Sequence, residues 1–254
     1  MASEVERPKR LAILIDADNA SPRIAAAIFE EIATIGEASA RRIYGDFSDT
    51  RLKGWTKVLA NYSIIPHQNF ANTVGKNASD ITLVIDAMDL LHSGRFDAFC
   101  LVSSDGDFTR LAARIREQGL DVYGFGEQKT PESFRMACKR FIYTENLVAP
   151  VEISVSSPDR RGEPPILETP PKQPPTAAIP HIQHALSQLE DANGWYFLGA
   201  VGARLAALMP DFDPRTYGCS KLLILIEKSG AYSVRREDLK VYIREKQSQS
   251  SELT

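Results

Sequence analysis

The chain is poor in the features that would settle its class at once. It has three cysteines, Cys100, Cys138 and Cys219, far apart and each among apolar neighbours. An odd, scattered set excludes a disulfide frame and gives no zinc-site spacing, so these read as reduced core thiols. No apolar stretch approaches the roughly 18 residues of a membrane span, and no membrane association is expected. The opening MASEVERPKR is polar and carries Glu4 and Glu6, unlike a signal or transit peptide; a cytoplasmic protein is expected. There is no internal repeat. Positive charge is not in excess either, since 30 Lys plus Arg face 33 Asp plus Glu for a net charge of −3, which gives no sign of a strongly basic nucleic-acid binder. A local basic segment, Arg41, Arg42, Arg51, Lys53 and Lys57, reads equally well as a solvated helix face.

What is present is unevenly placed. Nine of the fifteen prolines lie between Pro150 and Pro180, around PPILETPPKQPP. Proline removes backbone donors and stiffens the chain toward polyproline II, so residues 150–180 read as a linker. It separates a first domain over 10–146 from a second over 181–245.

The first domain alternates between two periodicities. Strand-like LAILID, ARRIYGDF, SIIPHQ, FDAFCLVSS and LDVYGFG are separated by helical IAAAIFEEIATIG, LKGWTKVLANY, DITLVIDAMDLLHSG and DFTRLAARIREQG, and PESFRMACKR reads as a last helix. Strands alternating with helices of this length imply βαβ units and a mainly parallel sheet, an α/β fold. In such sheets, sites form beyond the carboxyl ends of the strands, where the strand order reverses.

Two apolar strands end in acids at that position. LAILIDADNA carries Asp16, Asp18 and Asn19, and LVSSDGDFTR carries Asp105 and Asp107. Asp80 lies in the first turn of the third helix, where the helix dipole also favours an anion. Ile81, Val84, Ile85 and Met88 follow helical spacing and are expected to face the sheet; Asp86, six residues on and about 240° around, is not assigned to the face of Asp80. Asp16, Asp80, Asp105 and Asp107 can therefore converge. Crowded carboxylates either take up protons or bind cations, and hard oxygen donors without histidine or cysteine suit Mg²⁺ or Mn²⁺. Each pair alone also has a plain structural reading: Asp107 and Asp18 stand where helix caps are expected.

These residues carry a resemblance. ILIDADNAS, KNASDITLVIDAMDLL and CLVSSDGDFTRLAARIREQGLDVYGFG together resemble the NYN domain, a branch of the PIN-like nucleases, across nearly all of residues 10–146. The resemblance implies a parallel sheet between helices and metal-dependent cleavage of RNA. It maps the family's acidic positions onto Asp16, Asp80, Asp105 and Asp107 as catalytic and metal-holding residues. It further implies substrate-side roles for Asn19, Ser103 and Ser104, a phosphate contact at Lys76, and an acidic or polar pocket position at Asp46. The DADN stretch also resembles the opening of haloacid dehalogenase-like phosphatases, but Ser103 and Ser104 abut Asp105 directly and leave no room for that family's lysine. His67, His92 and Trp55 read as strand-end, helix-end and packing residues, and His181 with His184 lacks a third ligand.

The tail expects three helices and a small strand pair, a winged-helix arrangement. Gly194-Trp195, Leu198, the run MPDFDPRTYGCSKLLILIEKSG and Tyr232 resemble the OST-HTH or LOTUS domain. The resemblance implies an adaptor that binds RNA, single-stranded or structured, or docks protein partners. From His181 onward the tail has nine Lys plus Arg and nine Asp plus Glu, so shape, stacking and hydrogen bonds must carry any RNA specificity. Lys221 is the leading candidate contact, followed by Arg215 and Tyr217, although a solvated Lys221 and a core Tyr217 fit equally well. The combined expectation is a Mg²⁺- or Mn²⁺-dependent ribonuclease, endonucleolytic in action, with an RNA-binding tail. The alternative is a non-catalytic RNA-binding regulator with a silent nuclease site.

Overall fold

The computed structural model describes residues 7–70, 78–148 and 171–246. The chain divides into two compact units, Met1–Thr169 and Pro170–Thr254.

The first unit holds six parallel strands, β1 (Arg10–Asp16), β2 (Glu37–Gly45), β3 (Ile65–Gln68), β4 (Ala98–Val102), β5 (Asp121–Gly126) and β6 (Arg140–Tyr143), in the order β3-β2-β1-β4-β5-β6. β1 shows why these residues form a central strand. Leu11, Ala12, Ile13, Leu14 and Ile15 are all essentially inaccessible, because both faces of a parallel sheet are covered and alternation is not required. Leu11, Ile13 and Ile15 pack with α1 (Ala25–Ile35) and α2 (Lys53–Leu59), while Ala12 and Leu14 pack with α3 (Ala78–His92), α4 (Thr109–Glu117) and α5 (Glu132–Ala137). Ser21 accepts a hydrogen bond from the Arg23 amide ahead of α1, with Pro22 at the first helical position, as the Ser-Pro pair implies. The three cysteines are free and buried, and burial pushes the Cys138 thiol up to about 12.

From β1 the chain winds outward through β2 and β3, and α3 then returns it to β4 on the other side of β1. Every connecting helix of a parallel sheet begins near the carboxyl ends of the strands. The N-terminus of α3 therefore lies at the same edge as the ends of β1 and β4, the strand-order reversal where such folds place their sites.

The rotation of α3 differs from the expectation. Leu83, Ala87, Leu90 and Leu91 face the sheet and, of the four expected residues, Val84 and Met88 pack at its margin, whereas Ile81 and Ile85 are 61% and 58% exposed. The apolar arc of the segment covers more than half of its circumference, so periodicity could not choose the face; polar partners do. Asp86 accepts hydrogen bonds from Arg42 and from the Tyr44 hydroxyl, with His67 Nε2 at 3.9 Å. Burial alone would raise the Asp86 pKa, but the hydrogen bonds from Arg42 and Tyr44 outweigh it and hold the carboxyl below its usual range. A depressed carboxylate stabilises the fold above its unfolded pKa of about 4, and that contribution is lost as the pH falls through the lower folded value. Asp86→Ala is expected to cost about 2 kcal/mol, less than a fully buried pair because Arg42 remains partly solvated. Urea midpoints at pH 7 should differ between wild type and variant, and the difference should shrink in acid.

A second difference is β6. The last helix was expected to run through Arg140 but ends at Ala137, and Arg140–Tyr143 adds a strand. Four residues directly after a helix carry too little periodicity to be read as a strand.

In the second unit a 3-10 turn, Pro175–Ala178, leads into α6 (Ile179–Leu186), followed by β7 (Tyr196–Phe197), α7 (Leu198–Leu208), α8 (Leu222–Ser229), β8 (Tyr232–Glu237) and β9 (Lys240–Glu245). This 3-10 turn lies inside the stretch expected as linker, of which 150–170 falls outside the described residues. The expected three helices and hairpin are present around a core that includes Ile182, Val201, Leu205, Leu225, Ile226 and Ile243. The hairpin gains a third strand, giving the antiparallel order β7-β9-β8.

Candidate active site

The site grows from the ends of β1 and β4. Ile15 pairs with Val102, so Asp16 and Ser103 follow side by side. Asp16 is inaccessible to solvent, and its carboxylate is fully engaged. Oδ1 accepts the backbone N–H groups of Asp18 at 3.1 Å and Asn19 at 3.3 Å. Oδ2 accepts the Asn19 amide at 2.8 Å and the Ser103 hydroxyl at 2.7 Å. Four donors match the four lone-pair sites of a carboxylate. Burial raises the Asp16 pKa, and the hydrogen bonds from Ser103 and Asn19 work against that rise.

β4 ends in Ser103-Ser104, and both serines act as joints. Ser103 Oγ accepts the Asp105 N–H at 3.0 Å, and its own N–H donates to Phe125 O at 2.9 Å. Ser104 Oγ accepts the Glu127 N–H at 2.9 Å, tying in the end of β5. Gly126 makes this closeness possible: a Cβ there would stand 2.6 Å from Ser103 O and 2.8 Å from the Thr130 hydroxyl. Gly126→Ala is accordingly expected to destabilise the first unit by about 1–3 kcal/mol through overpacking, a drop that thermal unfolding can measure.

Asp105, not Asp107, caps the following 3-10 turn Gly106–Phe108; its Oδ1 accepts the Asp107 N–H at 2.9 Å. Nor does Asp18 cap the turn before α1, which is the role of Ser21; Asp18 instead accepts the Ser79 hydroxyl at 3.5 Å.

The acids converge on Asp80. Its pKa is raised to about 6, first by burial and then by the negative charges of Asp16, Asp105, Asp18 and Asp107. The four expected acids are thus electrostatic neighbours, and Asp18 is a fifth that sequence reasoning set aside as a cap. Its signal was its place in DADN, two residues after Asp16. The donor set is all hard oxygen with net negative charge, which fits Mg²⁺ or Mn²⁺ in kind. Among the described residues, no three His, Cys, Asp or Glu side chains are gathered closely enough to hold a metal ion. The acids lie within electrostatic reach of Asp80 without forming a finished cage.

Other expected residues fall elsewhere. Lys76 lies outside the described residues. Asp46 organises its own turn, accepting the Ser48 N–H at 3.1 Å and the Gln68 amide at 2.7 Å. In the second unit, Lys221 is exposed just before α8. Arg215 is folded onto Asp213 at 2.6 Å, and Tyr217 is buried in the core, so both have structural partners.

Two family models match the chain: the NYN domain over residues 10–147 and the OST-HTH/LOTUS domain over residues 173–243. No curated protein matches. Among solved structures, a protein of unknown function from Vibrio parahaemolyticus is 20% identical, with 54% of this chain and 94% of that one covered and a TM-score of 0.45. MurG from Acinetobacter baumannii is 13% identical, with 87% of this chain and 70% of that one covered and a TM-score of 0.37. Scores this low carry no argument about fold or function. The NYN match is of another order: it extends over more than half of the 254 residues and takes in every strand of the six-stranded sheet, and on that ground the chain belongs to the NYN-domain family.

Proposed function

We propose that the protein is a ribonuclease that hydrolyses RNA phosphodiester bonds endonucleolytically with Mg²⁺ or Mn²⁺, and that its OST-HTH/LOTUS unit binds RNA. The observation that carries the reading is the gathering of Asp16, Asp105 and Asp107 within electrostatic reach of Asp80 at the reversal of strand order. A cluster of this sign repels a phosphodiester unless a cation intervenes. Asp80, Asp105 and Asp107 would hold the ion, with Asp16 joining them by exchanging one of its four donors. When bound, such an ion offsets phosphate charge and makes water more acidic.

The chain's own residues supply order. Asn19 and Ser103 fix the Asp16 carboxylate, and Ser103 and Ser104 hold the ends of β4 and β5 against each other. Asn19, Ser103 and Ser104 border the place where a phosphodiester would lie, and Lys76 and Lys221 are the proposed phosphate contacts beyond it. A cytoplasmic location belongs to the same proposal; no helix among the described residues is long and apolar enough to cross a membrane.

A non-catalytic RNA-binding regulator is the second reading, favoured by the saturated Asp16 and the unfinished cage. Incubation of the full chain with labelled circular RNA, and with DNA of the same sequence, in EDTA, Mg²⁺ or Mn²⁺ separates the two. Linearisation of the RNA circle that requires a divalent ion is the expected result. Retention of RNA without cutting under all conditions would favour the regulator, and preferential cutting of DNA would replace the substrate class.

A further inference from the structure

The outer face of the second unit's sheet collects rings and cations from three separate stretches of chain. Phe197 lies opposite Tyr242, and Tyr242 lies opposite Arg235, so these three share one face. Arg244 pairs with Ser233 two positions along, on that face again, and Trp195 precedes Phe197 by two. The opposite face, with Tyr196, Val234 and Ile243, packs into the core.

The side chains on the outer face are already arranged as flat surfaces. The guanidinium carbons of Arg235 and Arg244 each stand 4.6 Å from the centre of the Trp195 ring. Arg235 is also 5.4 Å from the Tyr242 ring, and the Phe197 ring centre is 5.9 Å from that of Tyr242. Phe197 is 44% exposed, and both arginines are exposed. Next to Arg244 opens a groove of about 710 Å³, lined among others by Gln183, Ser187, Ser233 and Lys246. The hairpin Tyr232–Lys246 carries five Lys plus Arg against three Asp plus Glu, a local excess within a tail that is neutral by count.

We propose that this face binds unpaired bases of single-stranded RNA. Bases would stack on Phe197, Tyr242 and the guanidinium planes of Arg235 and Arg244, with the phosphates directed to Lys240 and Lys246. Guanidinium groups held over aromatic rings keep a planar, cationic surface at small entropic cost, and single-strand binders combine such stacking platforms with a basic track. An acidic peptide would be served by the cations alone and has no use for exposed rings. A duplex hides its base faces. The inference rests on the reading of the protein as one that acts on RNA, and it replaces Arg215 and Tyr217 with a surface that has no sequence contiguity.

The test uses the full chain in EDTA, so that no RNA is cut. A labelled uridine dodecamer is titrated by anisotropy while tryptophan emission is followed. The chain has two tryptophans, and the other, Trp55, is 1% exposed in the first unit's core. Binding with quenching of Trp195 is expected. Phe197→Ala, and Arg235→Ala with Arg244→Ala, should each weaken binding by about tenfold or more, with unchanged circular dichroism. Trp195→Phe should abolish the quench while keeping affinity within about threefold, since a ring remains to stack. Equal affinity in all variants, or equally tight binding of a twelve-base-pair RNA duplex or a glutamate dodecamer, would overturn the proposal. If the wild type linearises RNA circles with Mg²⁺ or Mn²⁺ yet the variants bind the dodecamer unchanged, this surface fails while the ribonuclease reading stands. If the dodecamer binds here and nothing is cut, the reverse holds.

Discussion

Asp105→Asn is expected to lower RNA cleavage by about two to three orders of magnitude while leaving the fold and RNA retention intact. The separation follows from what each atom of Asp105 does. Its Oδ1 accepts the Asp107 N–H and caps the turn into α4, a task the amide oxygen of asparagine performs equally well. What asparagine cannot supply is the negative charge in the acidic cluster. Two measurements that do not depend on turnover accompany the loss. Thermal unfolding in EDTA should shift by little. The Asp80 carboxyl, raised to about 6 by burial and then by neighbours that include Asp105, should titrate lower in the variant because one repelling charge has gone. An unchanged Asp80 titration by NMR would mean that Asp105 is not its neighbour, and undiminished cleavage would remove Asp105 from the chemistry.

Asp16→Ala is expected to cost about 3–4 kcal/mol of stability, measured by urea unfolding in EDTA so that no ion contributes. The variant takes the acceptor from two part-buried backbone N–H groups, from the part-buried Asn19 amide and from the buried Ser103 hydroxyl, each a loss of up to about 1–3 kcal/mol before relaxation and rehydration. Part of this is returned, since a buried negative charge is also removed. Asp16→Asn keeps the shape and one acceptor oxygen, and should cost about half as much. If Asp16→Ala instead unfolds like wild type, the four hydrogen bonds contribute nothing net, and Asp16 is free to serve as a ligand. A loss of activity in Asp16→Ala is on this account partly a loss of architecture, which makes Asp105 the cleaner probe of the chemistry.

The residues differ in how far their roles could be read from the sequence. β1 and β4 announce themselves, because five consecutive apolar residues leading into acid, directly after β1 and past two serines after β4, have few other uses in an α/β fold. The placement of Asp80 also follows from connectivity, since α3 must start at the edge where β1 and β4 end. Its rotation did not follow: the apolar residues of ITLVIDAMDLL cover more than half of the helix, and the choice is made by Arg42 and Tyr44, on a strand some 40 residues earlier. Asp107 and Asp18 were candidates for caps that Asp105 and Ser21 perform, a distinction set by backbone angles that residue type does not encode. β6 was too short to show a period. The tail was read through its densest motif, where Arg215 and Tyr217 have structural partners. The arginine-aromatic face was invisible because Trp195, Arg235 and Arg244 meet only through antiparallel register.

The reversal of strand order gives the first unit a seam. Residues 7–70 carry Asp16 and Asp18, residues 78–148 carry Asp80, Asp105 and Asp107, and the half-sheets join along one backbone ladder, Leu11–Ile15 against Ala98–Val102. Neither half contains the whole acidic cluster. On the proposed ribonuclease activity, the halves produced as two polypeptides would be inert apart and active only as a complementing pair, so that cutting RNA would become a direct gauge of their association.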